Sequence, residues 1–516
     1  MNVQLRRLGA GLLACYVALF AMVSWIQVVR ADDLNEATFR CRPIGAPRSA
    51  PVSEFCANNR AIIRDFDKER GQIIAADGTV LAETVPASGE SQFEFQRQYP
   101  TGDLFGHITG YFNFNFGATG VERSYNDELA GETAEQELRS LSDLFVDRSN
   151  VGDLHLTLRA DVQQIAREAL GDQQGSVVAI DPRDGSILAM WSFPAHDPNP
   201  LSSHDLAASQ AAKDQLEAAP GKPLRARTYQ ERFPPGSTFK VVVASTGVNR
   251  GDVTPQEPSY PVTGAFDIDF TRDDLNNFGG SSCGGTLFSI LARSCNTAFA
   301  AMGVDTIGEA GMSEGAEAFG FNDRPPLDLP AAVESAFPTD FPDDEGNGPL
   351  ARQSIGQGGV QATPLEMAMI AGTVANNGVM MTPHVMAEVR DEDGDIVTEY
   401  EPEPWRQAIS ADAAGVMREA MIGVVEGGTA TRLAIDGVVV GGKTGTATLE
   451  PEPGSHAWII GFGGAEDGPA SVAVAVIVES QEGASEATGG RVAAPIARAV
   501  MERILQIQGV VPAGDG

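Results

Sequence analysis

The distribution of apolar residues separates an N-terminal segment from a folded region that follows it. The segment Leu8–Ile26 is uncharged and nearly all apolar, and as a helix it is long enough to cross a bilayer. Two arginines precede it at positions 6–7, and two aspartates follow it at positions 32–33. Because the positively charged flank of a membrane helix stays in the cytoplasm, we predict a single-pass anchor over 8–29. Residues 1–7 would then be cytoplasmic, and everything after the anchor extracytoplasmic.

A cleaved signal peptide is the alternative interpretation of this segment. The tripeptide Val29-Arg30-Ala31 loosely resembles the small-residue motif that precedes a cleavage site. The length of the apolar segment and the arginine beside the cut disfavour cleavage. We therefore expect the anchor to be retained in the membrane of the cell.

Further along, apolar runs and helical spacing predict a sheet built from two distant parts of the chain. Five apolar segments predict strands, at 176–180, 186–191, 438–448, 456–462 and 472–478. The first two flank the turn at 181–185 and predict a hairpin. Apolar residues three and four apart predict helices over 161–170 and 491–506 that cover the sheet. A mostly helical insertion would lie between the two groups of strands.

Composition narrows the class of protein. The chain has 516 residues, of which 42% are hydrophobic and 21% charged, as expected of a globular protein with two or more domains. Its formal net charge of −34 argues against nucleic acid or an anionic lipid surface as a partner, since both repel an acidic protein. The six histidines are scattered, and no histidine or cysteine cluster has ligand spacing. We therefore predict no metal and no other cofactor.

The cysteines fit the predicted topology. Cys15 lies within the apolar segment, which leaves Cys41, Cys56, Cys283 and Cys295 in a compartment that favours oxidation. Sequence proximity favours a bond between Cys41 and Cys56 and another between Cys283 and Cys295. Four free thiols are the alternative.

One segment carries a potential nucleophile and its base. Pro234, Pro235 and Gly236 predict a turn, and the apolar run that follows predicts a buried helix with Ser237 at its N-terminus. Lys240 comes almost one helical turn later, so its side chain would face the hydroxyl. Burial or a nearby cation favours the neutral amine, which can accept the serine proton. Alone, this pattern more often marks a helix N-cap followed by a surface lysine.

Two later motifs favour the catalytic interpretation. The first is Ser294-Cys295-Asn296, and the second, Lys443-Thr444-Gly445-Thr446, ends an apolar run. With Ser237 and Lys240, and in this order, they resemble the signature of penicillin-binding proteins and serine β-lactamases. The resemblance implies an α+β transpeptidase fold, in which a five-stranded antiparallel sheet with terminal helices adjoins an all-α part.

The region before this signature resembles class B penicillin-binding proteins. Residues 70–82 contain an Asp-Gly turn between two short strands, like an element near the start of that class, and residues 117–122 resemble a second such element. In that class the region is a non-catalytic pedestal that docks partners. We therefore predict a mixed pedestal over 30–152, a transpeptidase domain over 153–510 and a tail at 511–516. This division leaves no room for a glycosyltransferase domain.

The resemblance also implies catalytic roles for individual residues. Ser237 would attack the carbonyl of a penultimate D-alanine, and Lys240 would accept its proton. Ser294 would pass a proton to the departing D-alanine amine, and the Asn296 amide would hold Lys240 and a substrate carbonyl. The backbone N–H groups of Ser237 and Thr446 would form an oxyanion hole.

The Lys443 motif would bind the substrate. Lys443, Thr444 and Thr446 would hold its terminal carboxylate, and Gly445 would let the peptide approach the strand. We expect Lys443 also to favour the neutral form of Lys240 by charge repulsion.

Together these features predict a membrane-anchored, monofunctional peptidoglycan D,D-transpeptidase of class B. Its partners would be stem peptides ending in D-Ala-D-Ala, β-lactam antibiotics and a polytopic membrane glycosyltransferase. A D,D-carboxypeptidase or β-lactamase is the alternative enzyme, and the anchor and pedestal weigh against it. An alternative of another class is a catalytically silent protein, either a β-lactam sensor or a division or elongation scaffold. The intact motif residues weigh against it.

Overall fold

The computed structural model of the chain describes residues 2–29, 38–41, 53–57, 66, 68–88, 91, 93–133, 136, 151–271, 274–448, 454–481 and 489–512. Several predicted features lie outside these residues. They are the acidic pair at 32–33, two positions of the cleavage-like motif at 30–31, residues 137–150 near the end of the predicted pedestal, and the end of the tail at 513–516.

Helices and strands alternate along most of the described chain. The α-helices are Asn2–Val29, Gly106–Thr109, Gly120–Ser124, Asn126–Ala130, Ala160–Leu170, Leu206–Ala218, Arg227–Gln230, Lys240–Arg250, Leu287–Ala292, Asn296–Ala301, Gly308–Ala318, Gly348–Gln353, Pro364–Ala375, Ala411–Gly427 and Ala494–Ile507. Short 3₁₀ helices are Gly102–Leu104, Gly236–Phe239, Phe278–Gly280, Asp343–Glu345 and Thr431–Leu433, and π-helical turns are Met302–Ile307 and Gly489–Ala493.

The strands form two large sheets and several two-stranded ribbons. The central sheet consists of Ile187–Phe193, Gly175–Ile180, Ala470–Gln481, Ser455–Gly464 and Val439–Thr448, in that spatial order. The N-terminal sheet consists of Ile396–Glu399, Met386–Arg390, Asp153–Leu156, Ile73–Ile74, Val80–Pro86 and Phe95–Gln98. The ribbons pair Thr38–Cys41 with Ser53–Ala57, Phe112–Asn113 with Gly117–Ala118, Tyr260–Thr263 with Cys283–Gly285, Ala265–Phe266 with Leu275–Asn276, and Val379–Met381 with Pro404–Gln407.

The chain divides into two compact units. Residues 1–69 and 85–96 form the smaller unit, and residues 70–84 and 97–516 form the larger one. In the smaller unit the two strands of a ribbon are antiparallel, with Phe39 opposite Cys56 and Cys41 opposite Ser53. The bond between Cys41 and Cys56 stays a prediction.

The N-terminal helix begins at Asn2 and ends at Val29. Among the residues that the structure describes, no helix combines the length and the hydropathy of a bilayer span.

The central sheet confirms the five-stranded antiparallel arrangement expected from the sequence. All four neighbouring strand pairs are antiparallel. Neighbouring residues of a strand point to opposite faces, and both faces are covered by helices. Ala473 faces Gly372 of the helix Pro364–Ala375, whereas Gly463, which pairs with Val472, faces Met501 of the helix Ala494–Ile507. The strand Val439–Thr448, hereafter the Lys443 strand, lies at the edge of this sheet.

The N-terminal sheet joins parts of the chain that are far apart in sequence. Ile73 pairs in parallel with Leu154, and the strand that contains Leu154 pairs on its other side with Met386–Arg390. Strands from before and after residue 152 therefore share one sheet. The domain boundary at 152–153 stays a prediction.

A buried charge network stabilises the region around the N-terminal sheet. The Glu122 carboxylate accepts hydrogen bonds from Arg70 Nε at 2.7 Å and Arg97 Nε at 2.6 Å, and from the Tyr99 hydroxyl at 3.3 Å. Burial raises the pKa of the Glu122 carboxyl, but the guanidinium groups of Arg97 and Arg70 outweigh burial and hold the pKa below its ordinary value. Glu122 is therefore ionised and paired throughout the physiological pH range.

A second buried carboxyl, Glu366, has the opposite character. It lies in the first turn of the helix Pro364–Ala375, where its backbone N–H donates to the Thr363 side chain at 3.1 Å. The side chain is fully buried, and neither carboxyl oxygen has a hydrogen-bond partner among the residues that the structure describes. The pKa of Glu366 is raised to about 8. Burial is the main cause; the nearby Arg406 partly offsets it, and Asp323 adds to it. The carboxyl is therefore mostly protonated at pH 7.

We expect Glu366→Gln to stabilise the protein increasingly as the pH rises. A carboxyl whose pKa is raised from 4.5 to about 8 on folding binds its proton more tightly in the folded state, so its contribution to stability falls between those pH values. Glutamine does not titrate, so the gain should grow from about 1 kcal/mol at pH 5 to about 3 kcal/mol at pH 7. Urea unfolding at both pH values measures it. The substitution Glu419→Gln, at an exposed residue, is the control. An equal gain at both pH values for Glu366→Gln would contradict the raised pKa of Glu366.

Candidate active site

Ser237 lies in a tight turn that the sequence predicts. The 3₁₀ helix Gly236–Phe239, hereafter the Ser237 turn, runs directly into the α-helix Lys240–Arg250. Gly236 has a φ of +53°, and a Cβ there would lie 2.5 Å from the carbonyl oxygen of Thr446. Only glycine satisfies both conditions, so the turn packs directly against the Lys443 strand with Ser237 half-buried beside it.

Lys240 is buried beneath this turn and bound by uncharged oxygens. Its Nζ donates to the Ser294 carbonyl at 2.7 Å, to Ser294 Oγ at 3.3 Å and to Asn296 Oδ1 at 2.6 Å. The Lys240 Nζ also lies 5.5 Å from the centre of the Phe299 ring. The side chain is fully buried. The structure thus brings Lys240, Ser294 and Asn296 together as the sequence motifs predict.

Lys443 approaches Ser294 from the edge of the central sheet. Its Nζ donates to Ser294 Oγ at 2.9 Å and to the Thr444 carbonyl at 2.8 Å, and its side chain is fully buried. Two lysine amines therefore flank one hydroxyl. Since a hydroxyl can accept two hydrogen bonds and donate one, Ser294 can connect Lys240 to Lys443 in either protonation state of Lys240.

Ser294 adopts a backbone conformation that usually belongs to glycine. The helix Leu287–Ala292 ends in a Schellman motif, in which Ser294 N–H donates to the Leu291 carbonyl at 3.1 Å and Cys295 N–H to the Ile290 carbonyl at 3.0 Å. Ser294 occupies the left-handed position of this motif, with a φ of +59°. A side chain in this region costs free energy, and such conformations cluster at functional sites.

We expect Ser294→Gly to be more stable than Ser294→Ala by about 1 kcal/mol, because glycine tolerates a positive φ and alanine does not. Both variants lose the hydroxyl between the two lysines, so both should acylate with penicillin equally slowly. Thermal unfolding and acylation kinetics of the two proteins test these effects separately. Equal stability would show that the backbone conformation is not strained.

The disulfide predicted between Cys283 and Cys295 is confirmed. It joins the strand Cys283–Gly285 to the residue between Ser294 and Asn296. Cys295 is therefore a structural residue, and the bond braces the loop that carries Ser294. Within the described part of the chain Cys15 is a free cysteine.

A pair of asparagines that the sequence did not single out orients Asn296. The Asn296 amide nitrogen donates to the Asn276 carbonyl at 3.0 Å, which leaves its oxygen directed at Lys240. Asn277 Oδ1 accepts from the Thr297 N–H at 3.0 Å and holds the start of the same helix. The Asn-Asn sequence at 276–277, within a short strand and turn, is the signal that could have indicated this support.

The Lys443 strand presents its open edge to the Ser237 turn. The Thr446 carbonyl lies beside Gly236, and because the N–H and C=O of a strand residue point to the same side, the Thr446 N–H is also directed there. A Cβ at Gly445 would lie 2.8 Å from Thr238 Cγ2 and 2.9 Å from the Pro235 carbonyl oxygen. The missing side chain of Gly445 thus makes room for the Ser237 turn itself.

Thr444 has a partner that the sequence motifs did not indicate. Its hydroxyl hydrogen-bonds the Thr429 hydroxyl at 2.6 Å, just after the helix Ala411–Gly427. This bond fixes the rotamer of Thr444 beside Lys443.

An aromatic cluster fixes the segment that leads into the Ser237 turn. The Trp458 indole N–H donates to the Pro234 carbonyl at 3.0 Å, and the Phe233 ring meets the rings of His456 and Trp458 edge to face. Burial lowers the pKa of His456 to about 4, so the imidazole is neutral at pH 7. These contacts give His456 a structural role beside the Ser237 turn.

Within the residues that the structure describes, no group of three or more histidine, cysteine, aspartate or glutamate side chains is arranged to hold a metal ion.

Comparison with known proteins agrees with this geometry. Residues 175–502 match the penicillin binding protein transpeptidase domain. The chain belongs to this family. Residues 70–154 match the penicillin binding protein A dimerisation domain, which corresponds to most of the predicted pedestal of this penicillin-binding protein.

Similar proteins and structures cover nearly the whole length of this penicillin-binding protein. The peptidoglycan D,D-transpeptidase PbpA of Mycolicibacterium smegmatis is 36% identical over 98% of this chain and 99% of its own. PbpA of Mycobacterium tuberculosis is 34% identical with the same coverage. The ceftriaxone acyl-enzyme complex of penicillin-binding protein A from M. tuberculosis covers 86% of this chain and 100% of its own, at 33% identity and a TM-score of 0.79. The imipenem acyl-enzyme complex of that protein has a TM-score of 0.77 at 34% identity.

Proposed function

We propose that this penicillin-binding protein is a monofunctional peptidoglycan D,D-transpeptidase that forms an acyl-enzyme on Ser237 and is inhibited by β-lactams. The observation that carries the proposal is the pair of buried lysines, Lys240 and Lys443, which flank the Ser294 hydroxyl beside the Ser237 turn. The PbpA relatives named as D,D-transpeptidases, and the acyl-enzyme complexes of the similar M. tuberculosis protein, support the same chemistry.

In acylation the Ser237 oxygen attacks the carbonyl of the penultimate D-alanine as Lys240 accepts the hydroxyl proton. Burial and a second cation nearby both favour the neutral amine that this step requires. The proton then passes from Lys240 through the Ser294 hydroxyl to the nitrogen of the departing D-alanine, while the carbon–nitrogen bond breaks. Ser294, hydrogen-bonded to both lysines, is positioned for this transfer.

The developing oxyanion is stabilised by two backbone donors, the N–H groups of Ser237 and Thr446. The contact between Gly236 and the Thr446 carbonyl supports this assignment, because it brings the two segments together. Donors fixed in the backbone need no reorganisation when charge develops, which is why such pairs are effective.

Recognition of the substrate carboxylate is assigned to the Lys443 strand. The Lys443 ammonium and the hydroxyls of Thr444 and Thr446 are the donors. The strand is at the edge of its sheet, so an extended peptide can align along it by main-chain hydrogen bonds. The Asn296 amide supplies a further contact for a substrate carbonyl.

The site of action is assigned to the outer face of the cell membrane. The apolar segment Leu8–Ile26, its basic N-terminal flank and the Cys283–Cys295 disulfide support a single-pass anchor with the catalytic region outside the cytoplasm. The outer layers of the cells are removed while the cell membrane stays intact. A protease added outside such cells should digest all but a short N-terminal fragment of the protein. Protection of the C-terminal region from digestion would show that the topology is the reverse of the one proposed.

The partner is assigned to the class of polytopic membrane glycosyltransferases, which would supply the glycan strands that this chain cross-links. The anchor and residues 31–152 would supply the contact. Co-purification from membranes after cross-linking tests the pairing, and loss of the complex on replacing the anchor by an unrelated helix would support it.

The fate of the acyl-enzyme distinguishes this function from hydrolysis. An amine of a second stem peptide must outcompete water for the Ser237 ester, so we expect the penicilloyl adduct to persist after free penicillin is removed. Rapid penicillin turnover would favour a β-lactamase. Release of D-alanine without cross-linked product, even with the partner present, would favour a carboxypeptidase, and failure to acylate at all would favour a silent scaffold.

A further inference from the structure

A cavity opens beside the segment that leads into the Ser237 turn. It has a volume of about 680 Å³. The polar residues that line it are Arg225, Arg232, Gln230, Gln361 and Glu231. Both arginines are exposed, and Arg232 immediately precedes Phe233 of the aromatic cluster.

Main-chain hydrogen bonds hold the walls of this cavity together. Phe233 and Ala362 exchange N–H···O=C bonds of 2.9 and 2.8 Å, and Gln361 exchanges similar bonds of 2.9 and 2.7 Å with Ala336. The Val333 N–H donates to the Tyr229 carbonyl at 3.0 Å. The cavity is therefore formed before any ligand arrives, as in most binding sites.

The charge of the cavity is unusual for this chain. Acidic residues outnumber basic ones by 70 to 36, yet neither Arg225 nor Arg232 forms an ion pair with a carboxylate among the described residues. Arg232 makes one long hydrogen bond, of 3.4 Å, to the Glu334 carbonyl. Both guanidinium groups therefore keep donors for a ligand.

The one carboxylate in the cavity does not cancel this charge. Glu231 lies 4.0 Å from Arg227, which also pairs with Glu479 at 2.7 Å. Among the residues that line the cavity, the guanidinium groups of Arg225 and Arg232 accompany one carboxylate, that of Glu231. The charged residues that line the cavity therefore carry a net charge of +1 in a strongly acidic protein.

We infer that this cavity binds a carboxylate of a peptide substrate, at a position several residues before the D-Ala-D-Ala terminus. The inference rests on the proposed function and adds a second contact point to it. The planar guanidinium group binds carboxylates through two parallel hydrogen bonds. The Gln361 amide can add a further donor.

The spacing of Arg232 and Ser237 fits such a substrate. The two residues are five positions apart, so their Cα atoms are at most about 18 Å apart. The reacting carbonyl belongs to the fourth residue of a pentapeptide, so a carboxylate two or three residues before it lies about 7–10 Å away in an extended peptide. An upstream carboxylate and Arg232 therefore fall within the same range of distances from Ser237.

Two synthetic pentapeptides ending in D-Ala-D-Ala test the inference, one with a free carboxylate upstream and the other with a carboxamide in its place. With full-length protein in detergent, Arg225→Gln combined with Arg232→Gln should lower kcat/KM for acylation by the carboxylate peptide about tenfold, with the carboxamide peptide unaffected. The exposed Arg123→Gln is the matched control and should change neither value.

A transfer assay distinguishes the attacked peptide from the incoming one as the source of the carboxylate. If the cavity holds the incoming peptide, the arginine variant should acylate normally but transfer less to a carboxylate acceptor than to its carboxamide counterpart. Unchanged discrimination in both assays would overturn the inference. Penicillin has no upstream peptide, so its acylation of the variant should equal wild type. Loss of penicillin acylation in the wild type itself would instead overturn the proposed function.

Discussion

Lys240→Ala should slow the acylation of Ser237 by penicillin by roughly 10²- to 10⁴-fold, the range typical for loss of a general base. The variant lacks the amine that accepts the Ser237 proton, and the Asn296 oxygen and the Ser294 carbonyl lose their donor. Stopped-flow measurement with a fluorescent penicillin, over a range of concentrations, gives the limiting rate constant. That constant should fall, whereas the concentration at half-saturation should change little.

Lys443→Ala is the matched control for this effect. Both lysines are buried and both contact Ser294 Oγ, so general disruption of the site should affect both variants alike. Under the roles assigned here, Lys443→Ala mainly raises the concentration of penicillin needed for half-saturation, because it removes a donor to the carboxylate. Identical concentration dependence in the two variants would contradict the division of roles.

Glu122→Gln should destabilise the protein by about 3–5 kcal/mol, the cost of breaking a buried ion pair from one side. The substitution leaves the guanidinium groups of Arg70 and Arg97 buried without the carboxylate that both contact through Nε. Because the pKa of Glu122 is held below its ordinary value, its stabilisation in the wild type is complete above that ordinary value and is lost as the pH falls through the folded-state pKa. Urea unfolding of the full-length protein in detergent, at neutral and acidic pH, measures both effects.

An exposed ion pair gives the comparison that this prediction needs. Glu314 pairs with Arg250 at 3.4 Å, and 73% of its side chain is exposed. Glu314→Gln removes the same charge and should change the free energy of unfolding by less than about 1 kcal/mol. A similarly small change for Glu122→Gln would show that the network does not stabilise the fold.

Features encoded in a few neighbouring residues could be predicted from the sequence. The turn before Ser237 follows from two prolines and a glycine, and the strands of the central sheet follow from apolar runs bounded by turns. The pairing of Cys283 with Cys295 follows from a separation of 12 residues. In each case the physical cause lies within the segment itself.

Features that depend on distant contacts could not be predicted in this way. Lys443 reaches Ser294 across 149 residues, and nothing near Ser294 indicates its positive φ. The support that Asn276 gives to Asn296, and the unpartnered carboxyl of Glu366, depend on packing that only the folded chain defines. The family resemblance supplied the grouping of motifs, and the structure supplied these supporting contacts.

Peptide mapping by mass spectrometry, after incubation with penicillin, tests the central claim most directly. We expect one penicilloyl adduct, on the peptide that contains Ser237, and none in the Ser237→Ala variant. Thermal unfolding of the variant should match wild type, because the half-exposed hydroxyl contributes little to the core. An adduct on any other residue, or labelling that persists in the folded Ser237→Ala protein, would contradict the assignment of Ser237 as the nucleophile.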